Sequence, residues 1–321
     1  MTSRVVVLTG ASSGIGRAAA GAFAARGDRL VLAARGLAGL ESAAASCGGT
    51  PLMVPTDITR AVEVEALADA AVEQFGRIDV WVDTAAVMAY GKFEDVPAHV
   101  FDRVVATDLL GPANVARVAL RRFRRQGRGT LILCGSLLGH ITAPQMAPYV
   151  TAKWGVRGLA RTLRQETRDA PGIHVCMVSP GSTDTPIFTS AANYAGFVGR
   201  PPPPVDPPER VADAIVRLAD RPRADVSVGA ANRVMEFGFA ALPRVYDALV
   251  GPMMSRLGLS RRATAPQNGN VFAPQRGSGG RPGGWSRGAV GATLGGAVGA
   301  GTAVAALALR KIRDAGVSSS R

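Results

Sequence analysis

Tyr149 and Lys153 stand four residues apart in a chain that has only four tyrosines and three lysines among its 321 residues. On a helix that spacing puts both side chains on one face, one turn from each other. An ammonium so placed favours the phenolate electrostatically. It can draw the phenol from its ordinary pKa of about 10 toward a range useful for proton transfer at neutral pH. The pair alone is also an ordinary amphipathic helix contact, so its meaning depends on what surrounds it. Thirteen residues earlier, Ser136 closes the apolar run Thr130-Leu131-Ile132-Leu133-Cys134. Near the N-terminus, Thr9-Gly10-Ala11-Ser12-Ser13-Gly14-Ile15-Gly16 separates a β-branched run, Arg4 to Leu8, from an alanine-rich helical stretch. A glycine turn between strand and helix offers free N–H groups and the positive end of a helix dipole to a pyrophosphate; a plain capping turn is the bland alternative.

These groups need a scaffold. Short apolar runs at Arg4–Leu8, Arg29–Ala34, Leu52–Pro55, Ile78–Val82, Thr130–Cys134, Ile173–Val178 and Asp225–Gly229 predict seven strands. Helical patterns fall between most of them: 17–26, 61–75, 100–125 with a break near Gly111-Pro112, 149–168, and 207–218 with Asp206 as N-cap. The alternation argues an α/β fold with a doubly wound parallel sheet, in which ligands sit beyond the carboxyl ends of the strands. The glycine turn, Arg35, Asp57, Ser136 and Pro180-Gly181 all fall at such ends. Where an acid would receive a ribose 2′-hydroxyl, this chain has Arg35, which suits a 2′-phosphate.

Taken in order, Thr9-Gly10-x-x-x-Gly14-x-Gly16, Ser136, Tyr149-x-x-x-Lys153 and Pro180-Gly181-Ser182-Thr183-Asp184-Thr185 resemble the short-chain dehydrogenase/reductase family over roughly residues 4 to 230. The resemblance implies a Rossmann-type domain at 1–230, a nicotinamide cofactor with NADP(H) preferred over NAD(H), and interconversion of a carbonyl and an alcohol. Tyr149 is then the acid/base, Lys153 its modulator and a holder of the nicotinamide ribose, and Ser136 a donor to the substrate oxygen. Gly10, Ser12, Ser13, Gly14, Ile15, Gly16, Arg35, Asp57, Ile58, Pro180, Gly181 and Thr185 are assigned to the cofactor, with Asp57 facing the adenine and Thr185 the carboxamide. A homo-oligomer is implied too. Two positions depart from the family pattern: Asp83-Thr84-Ala85-Ala86 replaces Asn-Asn-Ala-Gly, and Asp108 replaces the asparagine of the catalytic set. An ionised Asp108 cannot donate a hydrogen bond, and it competes with the tyrosine for the lysine's field. Lowered turnover is expected. A non-catalytic NADP(H) sensor or scaffold of the same fold is the alternative that these two acids favour.

The substrate loop, 186–208, carries Phe188, Tyr194 and Phe197, which suit a lipophilic substrate or simply pack the loop onto the body. Helical spacing over Val234–Leu257 predicts a helical extension at 231–260. A Gly-, Pro-, Arg- and Ser-rich stretch at 261–287 is expected to be disordered. Residues 289–309 are without charge and long enough to cross a bilayer, with Gly291, Gly295 and Gly299 on one helix face, but their Gly/Ala composition makes insertion marginal. This candidate membrane span, placed at 288–310, precedes a basic tail, 311–321.

The net charge of +13 carries no nucleic-acid signal, because 34 of the 37 basic residues are arginine, a compositional skew, and ten of the 37 crowd the last 66 positions. Histidines 99, 140 and 174 lack ligand spacing, so no metal is expected. The strand pattern begins within four residues of Met1, which, with three scattered cysteines, predicts a cytoplasmic body.

Overall fold

The computed structural model describes residues 3–275 and 283–285. Seven strands form the central sheet: β1 (Val5–Thr9), β2 (Arg29–Ala34), β3 (Leu52–Pro55), β4 (Val80–Asp83), β5 (Gly129–Cys134), β6 (Ile173–Pro180) and β7 (Asp225–Val228). Every pairing is parallel, and the order is β3-β2-β1-β4-β5-β6-β7. The chain winds outward from β1 in one direction and from β4 in the other, so the crevice between β1 and β4 is the topological switch point.

Helices cover both faces: α1 (Gly14–Ala24), α2 (Leu37–Ala45), α3 (Ala61–Phe75), α4 (Ala98–Val105), α5 (Gly111–Gln126), α6 (Ala147–Glu166) and α7 (Pro208–Asp220). Strand alternation divides the core. Val6 and Leu8 of β1, with Leu30, Leu32, Val80 and Val82, pack against α1, α2 and α7. Val7, Val31, Trp81, Leu131 and Leu133 face α3, α5 and α6. Because both faces are covered, the strands read as continuous apolar runs, the pattern that made them legible.

The break expected near Gly111-Pro112 is a π-helical turn, Ala106–Leu110, that joins α4 to α5. Pro112 has no N–H to give the carbonyl of Asp108, so the ladder widens there. Asp108 sits on that turn. The expected helical extension consists of two helices, α8 (Asn232–Ala241) and α9 (Pro243–Met253), divided at Pro243, with a further π turn, Met254–Gly258. The helix after the proline spacer is capped by Pro207 and begins at Pro208, so Asp206 stands one residue outside the cap.

The stretch expected to be disordered from Arg261 departs from that expectation through Gln275. Leu259–Ala263 pairs antiparallel with Phe197–Gly199. Gln267 and Asn193 exchange backbone hydrogen bonds, and Val271 is fully buried against Val87, Val96, Val100 and Val104. A single apolar anchor and paired backbone groups order a segment whose composition is otherwise that of a loop. Among the described residues no helix is long and apolar enough to cross a membrane. The candidate span 289–309 and the basic tail lie outside the described residues.

Candidate active site

Two cavities meet at the carboxyl end of the sheet. The larger, a cleft of about 740 Å³, runs along the switch point and is lined by Gly10, Ser12, Ser13, Gly14, Ile15, Gly16, Arg35, Asp57, Ile58 and Thr185. The smaller, about 200 Å³, lies beneath α8 and α9 and contains Ser136, Tyr149, Lys153, Pro180 and Gly181. Ile15, Thr185 and Ile187 line both, so the two adjoin. Most of the residues expected to hold a cofactor thus line the cleft, whereas Pro180 and Gly181, also expected to hold it, line the small cavity with Ser136, Tyr149 and Lys153. Asp108 and Asp83 line neither cavity; they are buried behind Lys153.

The glycine loop makes the cleft possible. Gly10 has φ +79°, and a Cβ there would lie 2.5 Å from the Ala85 nitrogen; a Cβ on Gly16 would lie 2.3 Å from the Gly10 oxygen. Side chains at either position would push the β1–α1 turn away from β4. Gly14, at φ +50°, has only Thr185 and Pro186 within reach of an added Cβ, the nearest contact being 3.2 Å. It leaves a narrow cradle at the start of α1, which fits a pyrophosphate on the helix's free N–H groups.

Tyr149 and Lys153 sit on α6, both buried, with the ammonium 5.4 Å from the centre of the phenol ring. Lys153 Nζ donates to the Cys134 carbonyl at the end of β5 (3.1 Å) and lies 4.0 Å from Asp108 Oδ2. The other Asp108 oxygen accepts from the Val87 N–H (2.8 Å), and Asp83 accepts from the Thr9 hydroxyl (2.6 Å). Ser136 follows β5, where its hydroxyl accepts from the Leu138 N–H (3.1 Å).

Burial sets the protonation states. It raises Asp108 to about 7 and Asp83 to about 6, with Lys153 opposing both shifts. Burial also penalises the Lys153 cation, yet Tyr149, Asp108, Cys134 and Asp83 outweigh it, and the lysine is raised. Tyr149 is raised above its ordinary value because burial exceeds the opposing pull of Lys153 and of the Ser136 hydrogen bond, with Asp108 adding to the rise. The sequence-based expectation of a phenol drawn downward by the lysine is therefore not met in this cavity, and Asp108 is one reason.

At the far end of the cleft, both carboxylate oxygens of Asp57 are engaged. One accepts from the Thr59 N–H (3.0 Å) and hydroxyl (2.8 Å), the other from Arg103 (2.5 Å). Arg35 donates to the backbone oxygens of Asn270 (2.6 Å) and Val271 (2.9 Å). Sequence reasoning missed Arg103 and the 267–275 segment. Arg103 belongs to no motif, and loop-like composition hid the segment; Val271-Phe272-Ala273 was the only apolar signal in it.

The wall of the small cavity is apolar: Met88, Leu137, Leu138, Ile141, Met146, Ile187, Phe188, Met235, Val250, Met253 and Met254 contribute to it. Tyr246 closes it, its hydroxyl bonded to the Thr142 oxygen (2.6 Å) and its ring edge-on to Phe239 (5.2 Å). Of the expected loop aromatics, Phe188 lines the cavity, whereas Phe197 is exposed and Tyr194 bonds to Asn268.

A doubly wound parallel sheet with a glycine loop at its switch point is the architecture of a nucleotide-binding α/β domain, and Ser136, Tyr149 and Lys153 lie beside that loop's cleft. The profile of the family described as short chain dehydrogenase matches residues 4–194, and the chain belongs to that family. It is 31% identical over 277 residues to the uncharacterized oxidoreductase YxnA of Bacillus subtilis strain 168, covering 84% of this chain and 76% of the relative. It is 37% identical over 226 residues to the cis-4-hydroxycyclohexanecarboxylate dehydrogenase of Sinomonas cyclohexanicum, covering 67% of this chain and 89% of that one. Among solved structures, levodione reductase superposes with a TM-score of 0.64 at 26% identity, over 73% of this chain and 99% of that one. An alcohol dehydrogenase of Thermococcus sibiricus, complexed with 5-hydroxy-NADP, superposes with a TM-score of 0.61 at 28% identity, over 71% and 96%.

Proposed function

We propose that this oxidoreductase uses NADP(H) in preference to NAD(H) to interconvert a carbonyl and an alcohol on a lipophilic small molecule. The observation that carries the reading is the juxtaposition itself: Ser136, Tyr149 and Lys153 line a largely apolar cavity of about 200 Å³ that adjoins the larger cleft through Ile15, Thr185 and Ile187. The cleft fits the cofactor, since Gly14 leaves a cradle at the α1 N-terminus and Arg35 stands at the far end. The glycine loop, Arg35, Asp57, Ile58 and Thr185 would hold it, and Lys153 would reach its nicotinamide ribose. Bound there, it would supply or accept the hydride.

The chain's own work is proton transfer and charge stabilisation. In reduction, the Tyr149 O–H bond breaks and its proton passes to the carbonyl oxygen. The Ser136 hydroxyl donates a hydrogen bond to the same oxygen as charge builds on it. Lys153, fixed by the Cys134 carbonyl, stabilises the phenolate left behind. The largely apolar walls favour a lipophilic substrate, with Lys153 the only cation and Asp206 the only acid among the described residues that line the cavity.

One relative's name lends support of a general kind to alcohol–carbonyl chemistry, since cis-4-hydroxycyclohexanecarboxylate dehydrogenase is named for a ring alcohol, one that also carries a carboxylate. The second reading, a cofactor sensor without turnover, draws on Asp83 and Asp108 beside the lysine. The test is oxidation of NADPH and of NADH against a panel of cyclic and linear ketones, with and without carboxylates. Faster oxidation of NADPH with uncharged apolar ketones is expected; no ketone-dependent oxidation of either cofactor would favour the sensor.

A further inference from the structure

The cofactor cleft has a wall that its family profile, ending at residue 194, does not supply. Asn270, Pro274 and Gln275 line the cleft opposite Arg35 and Gly36, and the cleft keeps its volume of about 740 Å³ with that wall in place. The segment is seated at several points. Val271 is fully buried in the apolar cluster under α4. The Asn270 N–H bonds to the Ser190 oxygen (2.8 Å), Gln267 and Asn193 exchange backbone bonds (2.8 and 3.0 Å), and Phe272 stacks on His99 at 5.6 Å. It is therefore tied both to the substrate loop and to the helix that carries Arg103.

What it does to the two arginines differs. Arg103 bonds to the Asp57 carboxylate and the Thr59 hydroxyl, so its charge is matched by an acid, and its Nε also reaches the Val271 carbonyl at 3.5 Å. Arg35 is gripped by two neutral carbonyls, those of Asn270 and Val271, and no ion pair to it forms among the described residues. Two of the five guanidinium N–H groups are used, and the rest remain for an incoming group. Carbonyls fix where the guanidinium points without cancelling its charge, which is what a phosphate site needs. Among the described residues the Asn270 side-chain oxygen is also buried at this wall without a hydrogen-bond donor.

We propose that residues 267–275 form a strap that sets cofactor specificity: Val271 seats it, and its Asn270 and Val271 carbonyls aim the uncompensated Arg35 cation at the 2′-phosphate position. Val271 is a positioning residue that acts through Arg35. The proposal deepens the NADP(H) reading and rests on it.

The test uses the full chain and two probes that differ only at the position in question, ADP-ribose and 2′-phospho-ADP-ribose, with dissociation constants measured by calorimetry. Wild type should bind the phosphorylated probe at least about tenfold more tightly, the scale of a charge-assisted hydrogen bond. Arg35→Ala should abolish the preference. Val271→Ser should shrink it at least threefold, while ADP-ribose affinity changes less than that. In the Arg35→Ala background, Val271→Ser should leave the ratio unchanged. If Val271→Ser lowers the melting temperature severely, Val271→Ala takes its place, with faster exchange of the Asn270 N–H as the sign that the strap has loosened. A loosened strap with an undiminished preference overturns the proposal and leaves the NADP(H) reading standing. A wild type that does not prefer the phosphorylated probe overturns both.

Discussion

Asp108 Oδ2 lies 4.0 Å from the Lys153 ammonium, fully buried and with no hydrogen-bond donor of its own among the described residues. An asparagine there would be neutral; the aspartate is neutral only while protonated. Its carboxyl titrates at about 7 because burial disfavours the anion. Near neutral pH, the charge beside Lys153 is therefore itself variable.

Asp108→Asn should raise turnover, by a few-fold at pH 8 and little at pH 6. Above pH 7 the wild-type carboxylate takes part of the field that Lys153 would otherwise exert on Tyr149; the amide takes none. A kcat–pH profile of both proteins checks this. An unchanged or lower rate at pH 8 would count against the reading of Asp108 as a brake.

The same substitution should change the pH dependence of stability. The folded pKa of Asp108, about 7, exceeds the unfolded value of about 4, so its stabilising contribution is complete below pH 4 and is lost as pH rises through 7. Wild type should lose stability relative to Asp108→Asn between pH 5 and pH 8. Urea titrations at those two values measure it, and parallel stabilities would refute the buried, titrating carboxyl.

Glycines of the loop should separate into structural and binding roles. Gly10→Ala places a Cβ against the Ala85 backbone at φ +79° and should lower stability by more than about 1 kcal/mol. Gly14→Ala, with Thr185 the neighbour across the cleft, should weaken cofactor binding at least about tenfold with a smaller loss of stability. Thermal melts and cofactor titrations of both variants distinguish the two.

How much of this was legible beforehand depends on how local each signal is. The seven strands were readable because a sheet covered on both faces writes continuous apolar runs. The glycine loop, Ser136, Tyr149 and Lys153 were readable because turn chemistry and helix spacing are short-range properties. Three features were not. Pro243 divides the extension, although the apolar spacing runs on through it. Arg103 reaches Asp57 across 46 positions of sequence, with no motif to mark it. The strap is held by backbone groups, one buried valine and the stack of Phe272 on His99, so its loop-like composition pointed to disorder. The net rise of the Tyr149 pKa was also hidden, since spacing shows the lysine but not the depth of burial.

Tyr246 should prove to be a closure of the substrate cavity and not part of its chemistry. Tyr246→Phe removes one hydrogen bond, to the Thr142 oxygen, and should cost about 1 kcal/mol of stability with kcat nearly unchanged. Tyr246→Ala, which also opens the wall beside Phe239, should raise KM for small apolar ketones and admit bulkier ones. A collapse of kcat in Tyr246→Phe would assign the hydroxyl a role that the geometry does not.

The central claim is that Tyr149 moves the proton. Its most direct test is the steady-state rate of NADPH oxidation with an apolar ketone by wild type and Tyr149→Phe, alongside NADPH affinity measured by fluorescence. The account predicts that kcat falls by at least about a hundredfold, the low end for loss of a general acid, while affinity stays within a few-fold. Equal rates in the two proteins at equal affinity would contradict it.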